Sequence, residues 1–333
     1  MFYHSGVIIP RRGAEFAENI FLNHKPSAVS ALLRGRRFFV PLGFAGFMIY
    51  KFVNLFDNSK LNFLAQNIEF TMKLCVLASG SSGNCTFISA GTTRILIDAG
   101  LSAKKTTERL AEIGERVEDL DAICVTHEHG DHIAGLRVLQ KKHGISVYAN
   151  AGTLAGIRAT KQGSEVTCLQ FTTGSAFEIG DFCVEPFSVP HDAYEPVGFV
   201  LRSGTQSVGV VTDVGIVTNL LREKLRACQI VVLEANHDEE LVHAAARPWS
   251  LKQRILSNQG HLSNRAAAGL VAEIAGEGLL HLFLAHLSAD CNSPGHARNA
   301  FETTLTGAGH DHVSLYLTGA RGVSEVLELE NAE

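Results

Sequence analysis

The sequence predicts an α/β fold, and three observations support that prediction. Short apolar runs typical of strands recur after Met72 and alternate with helix-like segments. Glycine-rich turns separate the first three of these runs. Hydrophobic residues make up 46% of the 333 residues and charged residues 19%. That composition is ordinary for a globular protein with a sizeable core, and it excludes a disordered or fibrous chain.

The predicted elements follow one another without an internal repeat or a linker between domains. The strands are predicted over 73–78, 85–90, 93–98, 122–125, 182–187, 197–202, 207–212, 230–234, 280–285 and 313–317. The helices are predicted over 102–113, 133–143, 263–275 and 298–305. Ser102 suits the N-cap of the first helix, because its hydroxyl can accept a hydrogen bond from the first turn. Gly144 suits the end of the second, because glycine tolerates the left-handed conformation that closes a helix.

The first 71 residues differ in composition from the rest. They contain 11 of the 19 phenylalanines and carry 8 basic and 4 acidic residues, net +4, whereas the rest carries 21 basic and 30 acidic residues, net −9. The apolar stretch 38–56 is interrupted by Pro41, Lys51 and Asn54, which leaves it short for a membrane span of about 20 residues. We expect residues 1–71 to be an N-terminal extension, disordered or upstream of a true start, and residues 72–333 to be one catalytic domain. A membrane anchor and an interaction arm are the alternatives.

Charge and cysteine content narrow the class of protein. The net charge of −5 gives no sign of a polybasic nucleic-acid binder. The seven cysteines are scattered without a C-x-x-C pair, which argues against a disulfide framework and against a cysteine zinc site. This usage favours a reducing compartment, so a cytoplasmic location is expected and association with a membrane is not.

Three histidines and an aspartate are concentrated in the run HEHGDH at 127–132, directly after a strand-like segment. In extended geometry, residues two apart point the same way, so His127 and His129 can hold one metal ion. Asp131 and His132 begin the next helix and turn toward a second position. Imidazole and carboxylate groups are suitable ligands for zinc and related divalent ions.

Three further candidate ligands follow later strands: His191, Asp213 and His286. Each comes after an apolar run of β type, so each can lie at the same strand-end edge of a sheet. Ligands from several strand ends can then converge on one cleft. A polar loop with surface histidines is therefore the less favoured interpretation of the 127–132 run.

The run at 127–132, followed by His191, Asp213 and His286 in that order, resembles the metallo-β-lactamase superfamily over about residues 72–330. The resemblance implies a four-layer αβ/βα sandwich with two divalent metal ions, zinc or manganese, at one edge. It implies that Asp213 bridges the two ions and that a metal-bridging hydroxide attacks the substrate. The implied ligands are His127, His129 and His191 for the first ion, and Asp131, His132 and His286 for the second.

Four shorter segments resemble the YycJ/WalJ-like exonuclease and phosphodiesterase branch of that superfamily. They are LASGSSGNCTFI at 77–88, LEANHDEELV at 233–242, LKQRILSNQGHLSN at 251–264 and LAHLS at 284–288. The resemblance implies hydrolysis of a phosphodiester, with DNA attacked from an end as the favoured substrate. A small-molecule hydrolase acting on a cyclic phosphodiester, lactone or thioester is one alternative, and a non-catalytic regulatory protein is another.

The same resemblance adds His237 and His261 to Asp131 as catalytic candidates. A histidine has a pKa near neutrality and can protonate a leaving oxygen. The alternatives are a solvated loop histidine at 237 and, at 261, a residue that merely precedes a helix capped by Ser263.

A second group of candidates surrounds the cleft. Backbone N–H groups of the glycine-rich turn can cradle a phosphate, although a plain hairpin turn is the alternative. The predicted substrate-binding residues of that turn are Ser79, Ser81, Ser82 and Asn84. Asp98 ends a strand near the cleft, and the resemblance implies that it orients a metal-binding histidine through a hydrogen bond. Lys252 and Arg254 could contact a nucleic-acid backbone or belong to a solvated helix face.

Overall fold

The computed structural model describes residues 71–160, 163–276 and 278–329. The expected N-terminal extension therefore lies outside the described residues except for Thr71, and it stays a prediction. No helix in the described ranges is long and apolar enough to cross a membrane.

Among the described residues, seven strands form a first mixed sheet. They are β1 (Met72–Ala78), β2 (Cys85–Ala90), β3 (Thr93–Ile97), β4 (Ala122–Cys124), β5 (Ser146–Ala149), β6 (Leu169–Gln170) and β14 (Leu327–Leu329). The spatial order is β14-β1-β2-β3-β4-β5-β6. β1 to β3 pair antiparallel, and β3 to β6 pair parallel. The carboxyl ends of β1, β3 and β4 therefore lie at one edge of this sheet.

Seven more strands within the described ranges form a second mixed sheet. They are β7 (Phe177–Ile179), β8 (Phe182–Ser188), β9 (Val197–Ser203), β10 (Gln206–Val211), β11 (Ile230–Glu234), β12 (His281–Ala285) and β13 (Ser314–Leu317). The spatial order is β13-β12-β11-β10-β9-β8-β7. β9 runs antiparallel to both β8 and β10, and β10 to β13 are parallel. β8, β10, β11 and β12 consequently end at a common edge.

The helices of the described residues are α1 (Ala103–Glu112), α2 (Gly130–Ile133), α3 (Leu136–His143), α4 (Ala151–Ala159), α5 (Asn219–Arg226), α6 (Glu239–Ala244), α7 (Trp249–Ile255), α8 (Asn264–Ile274) and α9 (Pro294–Ala308). α1, α3 and α4 pack on the outer face of the first sheet, and α5, α8 and α9 pack on the outer face of the second. Two short 3-10 turns lie at Val117–Asp119 and Gly163–Glu165.

The packing of β1 shows why the strands are apolar on both faces. Leu74 and Val76 lie in the core between the two sheets, whereas Cys75 and Leu77 pack with Leu110 of α1 in the outer layer. Successive side chains of a strand point to opposite faces, so a strand buried on both sides reads as a continuous apolar run. A third core buries the outer face of the second sheet under α5, α8 and α9. The predicted four-layer αβ/βα sandwich is confirmed.

Two predicted helix boundaries are wrong, for local reasons. The helix predicted over 133–143 is two helices, α2 and α3, separated at Gly135. A Cβ at Gly135 would lie 2.1 Å from the Leu101 carbonyl oxygen, so the chain turns there in close contact with the preceding loop. The helix predicted over 298–305 begins earlier because Ser293 caps it by accepting a hydrogen bond from the His296 N–H, with Pro294 in the first turn.

Candidate metal centre

The predicted ligands follow the strand ends that meet at one edge of the sandwich. His127 comes after β4, His191 after β8, Asp213 after β10 and His286 after β12. Asp131 and His132 lie in α2, whose N-cap is His129. The structure thus brings all seven predicted ligands into one cluster, through the contacts that follow.

The first ligand group consists of three histidines whose ring nitrogens face one another. His129 Nδ1 lies 3.1 Å from His127 Nε2 and 3.4 Å from His191 Nε2. Ligands at a zinc–nitrogen distance of about 2.0–2.1 Å in a tetrahedron are about 3.3 Å apart, so this spacing fits one ion. The His191 Nδ1–H donates to the Gly260 carbonyl oxygen at 3.0 Å, which leaves the Nε2 lone pair facing the group. These three residues could hold a metal ion.

The second ligand group lies around one oxygen of Asp131. Its Oδ2 atom is 3.6 Å from His132 Nε2 and 3.7 Å from His286 Nε2. The Nε2 atom of His286 is buried and has no hydrogen-bond partner among the described residues. A buried polar atom without a partner is costly, and a metal ion would supply the missing partner.

Asp213 lies between the two groups. Its Oδ1 atom is 3.7 Å from His191 Nε2, and its Oδ2 atom is 3.1 Å from His132 Nε2. The buried Oδ2 atom lacks a well-oriented hydrogen bond within the described residues. One carboxylate therefore faces both groups, as a ligand shared by two ions must. Together with the orphaned nitrogen of His286, this oxygen shows that the donor set fits divalent metal ions.

Burial and neighbouring charge oppose each other at these ligands. Burial alone would raise the pKa of the Asp213 carboxyl, but the charges of His286 and His132 hold it well below its usual range. Burial alone would lower the pKa of His132, but Asp213 and Asp98 raise it to about 10. A metal ion would therefore have to displace a proton from His132.

Thr126 and Asp98 fix the orientation of two histidine rings. Asp98 Oδ2 lies 2.7 Å from His132 Nδ1 and accepts a hydrogen bond from the Thr126 hydroxyl at 2.8 Å. The Thr126 oxygen lies 2.9 Å from His127 Nδ1. Because its hydrogen is donated to Asp98, this oxygen can only accept from His127. Nδ1 of each ring therefore carries a proton, and both rings turn Nε2 toward the cluster. Asp98 occupies the position predicted for it, and Thr126 was missed.

The sequence analysis also missed Glu234, the last residue of β11. Its side chain is fully buried, and Oε1 accepts hydrogen bonds from Nδ1 of His261 at 2.7 Å and Nδ1 of His286 at 2.9 Å. Oε2 accepts from the backbone N–H groups of Val214 at 3.0 Å and Leu262 at 3.2 Å. The signal that could have found Glu234 is the one used for Asp213 and His286, a polar residue at the end of an apolar strand.

Asp213, Glu234, His261 and His286 also lie close enough together to hold an ion. The Nδ1 atoms of both histidines, however, are already satisfied by the Glu234 carboxylate. We therefore interpret this group as a hydrogen-bonded network that holds His286 and His261 in place. Burial lowers the pKa of His261, but Glu234 more than compensates and raises it above its usual value.

His237 lies in the loop after β11, where the charges of Glu234 and His261 act on its ring. Its backbone is tied to α8, where its carbonyl oxygen accepts from the Asn264 N–H at 2.8 Å. Its ring is buried, and Nδ1 has no hydrogen-bond partner in the described part of the chain. Burial lowers its pKa. The alternative of a solvated loop histidine is therefore wrong, and the predicted catalytic role of His237 stays a prediction.

Of the four predicted residues in the glycine-rich turn, two contact the ligand cluster and two are exposed. The Ser79 hydroxyl oxygen accepts from the backbone N–H of His286 at 2.6 Å. His286 has a φ of 53°, which is uncommon for a residue with a side chain, and this bond helps to hold it there. Ser81 and Ser82 are exposed on the turn itself.

Asn84, at the end of the same turn, touches the second ligand group. Its amide nitrogen donates to Asp131 Oδ2 at 3.2 Å and lies 3.0 Å from His132 Nε2. Its amide oxygen accepts from the Gly80 N–H at 2.9 Å, which fixes the amide orientation. Asn84 therefore positions ligand atoms. Whether the four turn residues bind substrate stays a prediction.

The family model described as the beta-lactamase superfamily domain matches residues 93–283. The chain therefore belongs to the β-lactamase superfamily.

Two relatives place the chain in the predicted WalJ/YycJ-like branch of the superfamily. The chain is 40% identical to the exodeoxyribonuclease WalJ of Streptococcus pneumoniae over 227 residues, which cover 67% of this chain and 84% of that protein. It is 35% identical to the exodeoxyribonuclease YycJ of Bacillus anthracis over 264 residues, which cover 78% of this chain and 94% of that protein. The metallo-β-lactamase-fold protein YhfI of Bacillus subtilis has the same fold, with a TM-score of 0.59 and 17% identity over 78% of this chain and 100% of that one. Family membership and the His/Asp cluster support the predicted class, a metal-dependent hydrolase.

Proposed function

We propose that this chain is a dinuclear metal-dependent phosphodiesterase that degrades DNA from an end. The observation that carries the proposal is the pair of orphaned, buried ligand atoms, Asp213 Oδ2 and His286 Nε2, at the junction of two ligand groups. Two relatives that cover most of the chain are named exodeoxyribonucleases, which supports DNA as the substrate.

We assign each ion three ligands and give both ions Asp213. His127, His129 and His191 would hold the first ion, and Asp131, His132 and His286 the second. Bound there, the ions would neutralise phosphate charge and make water a usable nucleophile near neutral pH. The five histidines among the ligands favour zinc, and the two carboxylates make manganese the alternative.

Other residues of the chain would orient the ligand histidines and supply a proton to the leaving oxygen. The Glu234 carboxylate raises the pKa of His261 above its usual value. Because His261 Nδ1–H donates to Glu234, its other nitrogen, Nε2, is the atom that would give a proton to the leaving oxygen. Thr126 and Asp98 hold His127 and His132 in the tautomer that binds metal.

We also propose a cytoplasmic location and place the activity in residues 72–333. Cys75, Cys85, Cys124 and Cys228 are buried thiols, which fits a reducing compartment.

The test is a nuclease assay on the full chain with end-labelled single- and double-stranded DNA and added Mn²⁺ or Zn²⁺. We expect stepwise shortening from one end that disappears in Asp131→Ala. The shortening should persist in Asp119→Asn, which changes an aspartate that is half exposed on a surface turn. If the metal-loaded protein leaves DNA intact but hydrolyses a cyclic phosphodiester, lactone or thioester, the proposed substrate is wrong. If Asp131→Ala keeps the wild-type rate on DNA, the proposed site is wrong.

A further inference from the structure

The loop at 191–195 joins the first ligand group to an exposed rim. It begins with His191, a predicted ligand, and reaches Tyr194 three residues later. Three residues of chain span at most about 10 Å, so the Tyr194 backbone lies within that distance of His191.

Tyr194 is exposed although its backbone is fixed. Its side chain is 67% exposed, while its N–H donates at 2.9 Å to an oxygen of Glu128, the residue between His127 and His129. The Tyr194 backbone is thus tied to the 127–129 segment by this hydrogen bond and to His191 by the chain. An exposed aromatic side chain on a fixed loop offers an apolar face on which another planar group can stack.

The neighbouring residue, Glu195, anchors the same loop to α4. Its carboxylate accepts hydrogen bonds from the Gly152 N–H at 2.9 Å and the Thr173 hydroxyl at 2.7 Å. Its carbonyl oxygen accepts from the Asn150 side-chain amide at 2.7 Å. The loop is therefore preorganised, and little entropy is lost when a ligand settles on the Tyr194 ring.

Tyr194 also has free faces. The other exposed aromatic side chain in the described ranges, Trp249, has its ring centroid 6.4 Å from that of His243 in a near-parallel arrangement. No comparable ring neighbour of Tyr194 occurs among the described residues.

A cation is fixed on the same rim. Arg254 of α7 donates from Nε to Asp192 Oδ2 at 2.5 Å and from Nη2 to Asp192 Oδ1 at 3.1 Å. A guanidinium has five N–H donors, so three remain for another partner. The Arg254 side chain is 53% exposed, and Asp192 directly follows the predicted ligand His191. Asp192 thus holds a half-exposed arginine beside the candidate centre.

We propose that Tyr194 and Arg254 form a subsite for an unpaired nucleotide, in which the base stacks on the Tyr194 ring and a flanking phosphate binds the free N–H groups of Arg254. An aromatic platform beside a cation is the arrangement that binds single-stranded nucleic acid. A base inside a duplex has both faces covered by its neighbours and a base at a duplex end has one face covered, so the subsite favours an unpaired nucleotide, whose base is free to turn onto the ring. This inference rests on the proposed nuclease function and specifies the form of DNA that reaches the centre.

The first experiment measures affinity rather than turnover. Binding of the full-length protein to a short labelled single strand is followed by fluorescence anisotropy in EDTA, which prevents cleavage. We expect Tyr194→Ala to raise the Kd about 5- to 150-fold, the range for loss of one stacked base, and Tyr194→Phe to stay within about twofold of wild type. Leu280→Ala is the control, because Leu280 is exposed just before β12, at the end of that strand opposite His286.

A strand with abasic sites at both ends separates stacking from general damage. The Kd of this strand should be the same for wild type and Tyr194→Ala to within about twofold. An equal loss on the intact and the abasic strand would overturn the stacking role, as would wild-type affinity of Tyr194→Ala for the intact strand.

The role of Arg254 is tested by salt dependence. Each phosphate contact to a single strand contributes a slope of about 0.7 to the plot of log affinity against log salt. Arg254→Ala should lose about that slope, whereas Arg298→Ala, a half-exposed arginine paired with Glu302, should keep it. Arg254→Ala also breaks the ion pair with Asp192. Asp192→Asn, which breaks the same ion pair but keeps the arginine, is therefore measured as a second control. An unchanged slope in Arg254→Ala would overturn the phosphate contact.

Steady-state cleavage separates this inference from the proposed function. We expect Tyr194→Ala to raise the KM for single-stranded DNA at least fivefold more than the KM for the strand with abasic ends, which offers no base at the subsite. If wild type cleaves DNA but the two KM values rise equally, the subsite is wrong and the nuclease function stands. If wild type neither binds nor cleaves DNA, both are wrong.

Discussion

The Nδ1 atom of His286 donates a hydrogen bond to a carboxylate oxygen of Glu234 at a distance of 2.9 Å. This bond holds the ring so that the other nitrogen, Nε2, faces Asp131, 3.7 Å from its Oδ2 atom. The same oxygen accepts from His261. Glu234 thus couples the second ligand group to the proposed proton donor.

Glu234→Gln should weaken metal binding without unfolding the protein. The glutamine side chain has only one acceptor oxygen. Its NH₂ group would therefore face either the two histidine Nδ1–H groups or the two backbone N–H groups, and donors would oppose donors there. We expect metal affinity to fall about 10- to 100-fold, as for other residues that orient ligands. Competition with a chelating dye measures this change, with the exposed Glu118→Gln as control. Wild-type metal affinity in Glu234→Gln would contradict the orienting role.

The Thr126 hydroxyl should matter more than the Thr126 methyl group. Thr126→Val removes the oxygen that links Asp98 to His127, whereas Thr126→Ser keeps it. We expect Thr126→Val to lose about 10-fold or more in metal affinity and Thr126→Ser to retain it. Isothermal titration with Zn²⁺ compares the two, and equal affinities would show that the hydroxyl does not orient the rings.

Ser79 should contribute to stability where its neighbour Ser81 does not. Ser79→Ala leaves the buried His286 N–H without an acceptor, which costs about 1–3 kcal/mol. Ser81→Ala changes an exposed turn residue and should alter the free energy of unfolding by less than about 0.5 kcal/mol. Urea unfolding of both variants checks the difference. Equal values would mean that the Ser79 bond does not support the backbone of His286.

Gly100 should tolerate no side chain. A Cβ there would lie 1.7 Å from the backbone oxygen of Asp131 and 2.5 Å from the backbone nitrogen of Asn84, so Gly100→Ala would displace the ligand loop. We expect a loss of about 3 kcal/mol or more. Gly269→Ala, in open space on α8, should instead stabilise the fold by about 1 kcal/mol through helix propensity. Thermal and urea unfolding measure whether Gly100→Ala lowers the free energy of unfolding and Gly269→Ala raises it.

Lowering the pH should remove the contribution that Glu185 makes to the free energy of unfolding. Hydrogen bonds from Lys224 and Arg202 hold the pKa of Glu185 below its ordinary value of 4.5. A carboxyl whose pKa is lower in the folded state stabilises the fold above its unfolded pKa and loses that contribution as the pH falls through the folded value. Glu185→Gln should therefore cost about 1 kcal/mol at pH 7, and the difference from wild type should shrink as the pH falls below 4.5 and be lost below the folded pKa. Urea titrations across that range measure it, and a constant difference would contradict the assignment.

The sequence predicted the parts of the fold and site that depend on local patterns. Apolar runs located most of the long strands, and polar residues after those runs marked His191, Asp213 and His286. The same rule applied to β11 would have marked Glu234. Short edge strands such as β6 and β7 were missed because they are two or three residues long and contain little pattern.

Contacts between distant residues were beyond local reasoning. The hydrogen bond from His286 to Ser79 joins residues 207 positions apart, and no periodicity in either segment indicates it. The same is true of Arg254 and Asp192, which are 62 positions apart. The exposure of Tyr194 likewise depends on how its loop is anchored to Glu128.

The central claim is that two ligand groups sharing Asp213 hold two ions per chain. Anomalous X-ray diffraction from crystals grown with Zn²⁺ or Mn²⁺ tests it most directly. The account predicts two anomalous peaks, one beside His127, His129 and His191, the other beside Asp131, His132 and His286, with Asp213 in contact with both. A single peak, or a peak bound through Glu234 and His261, would contradict it.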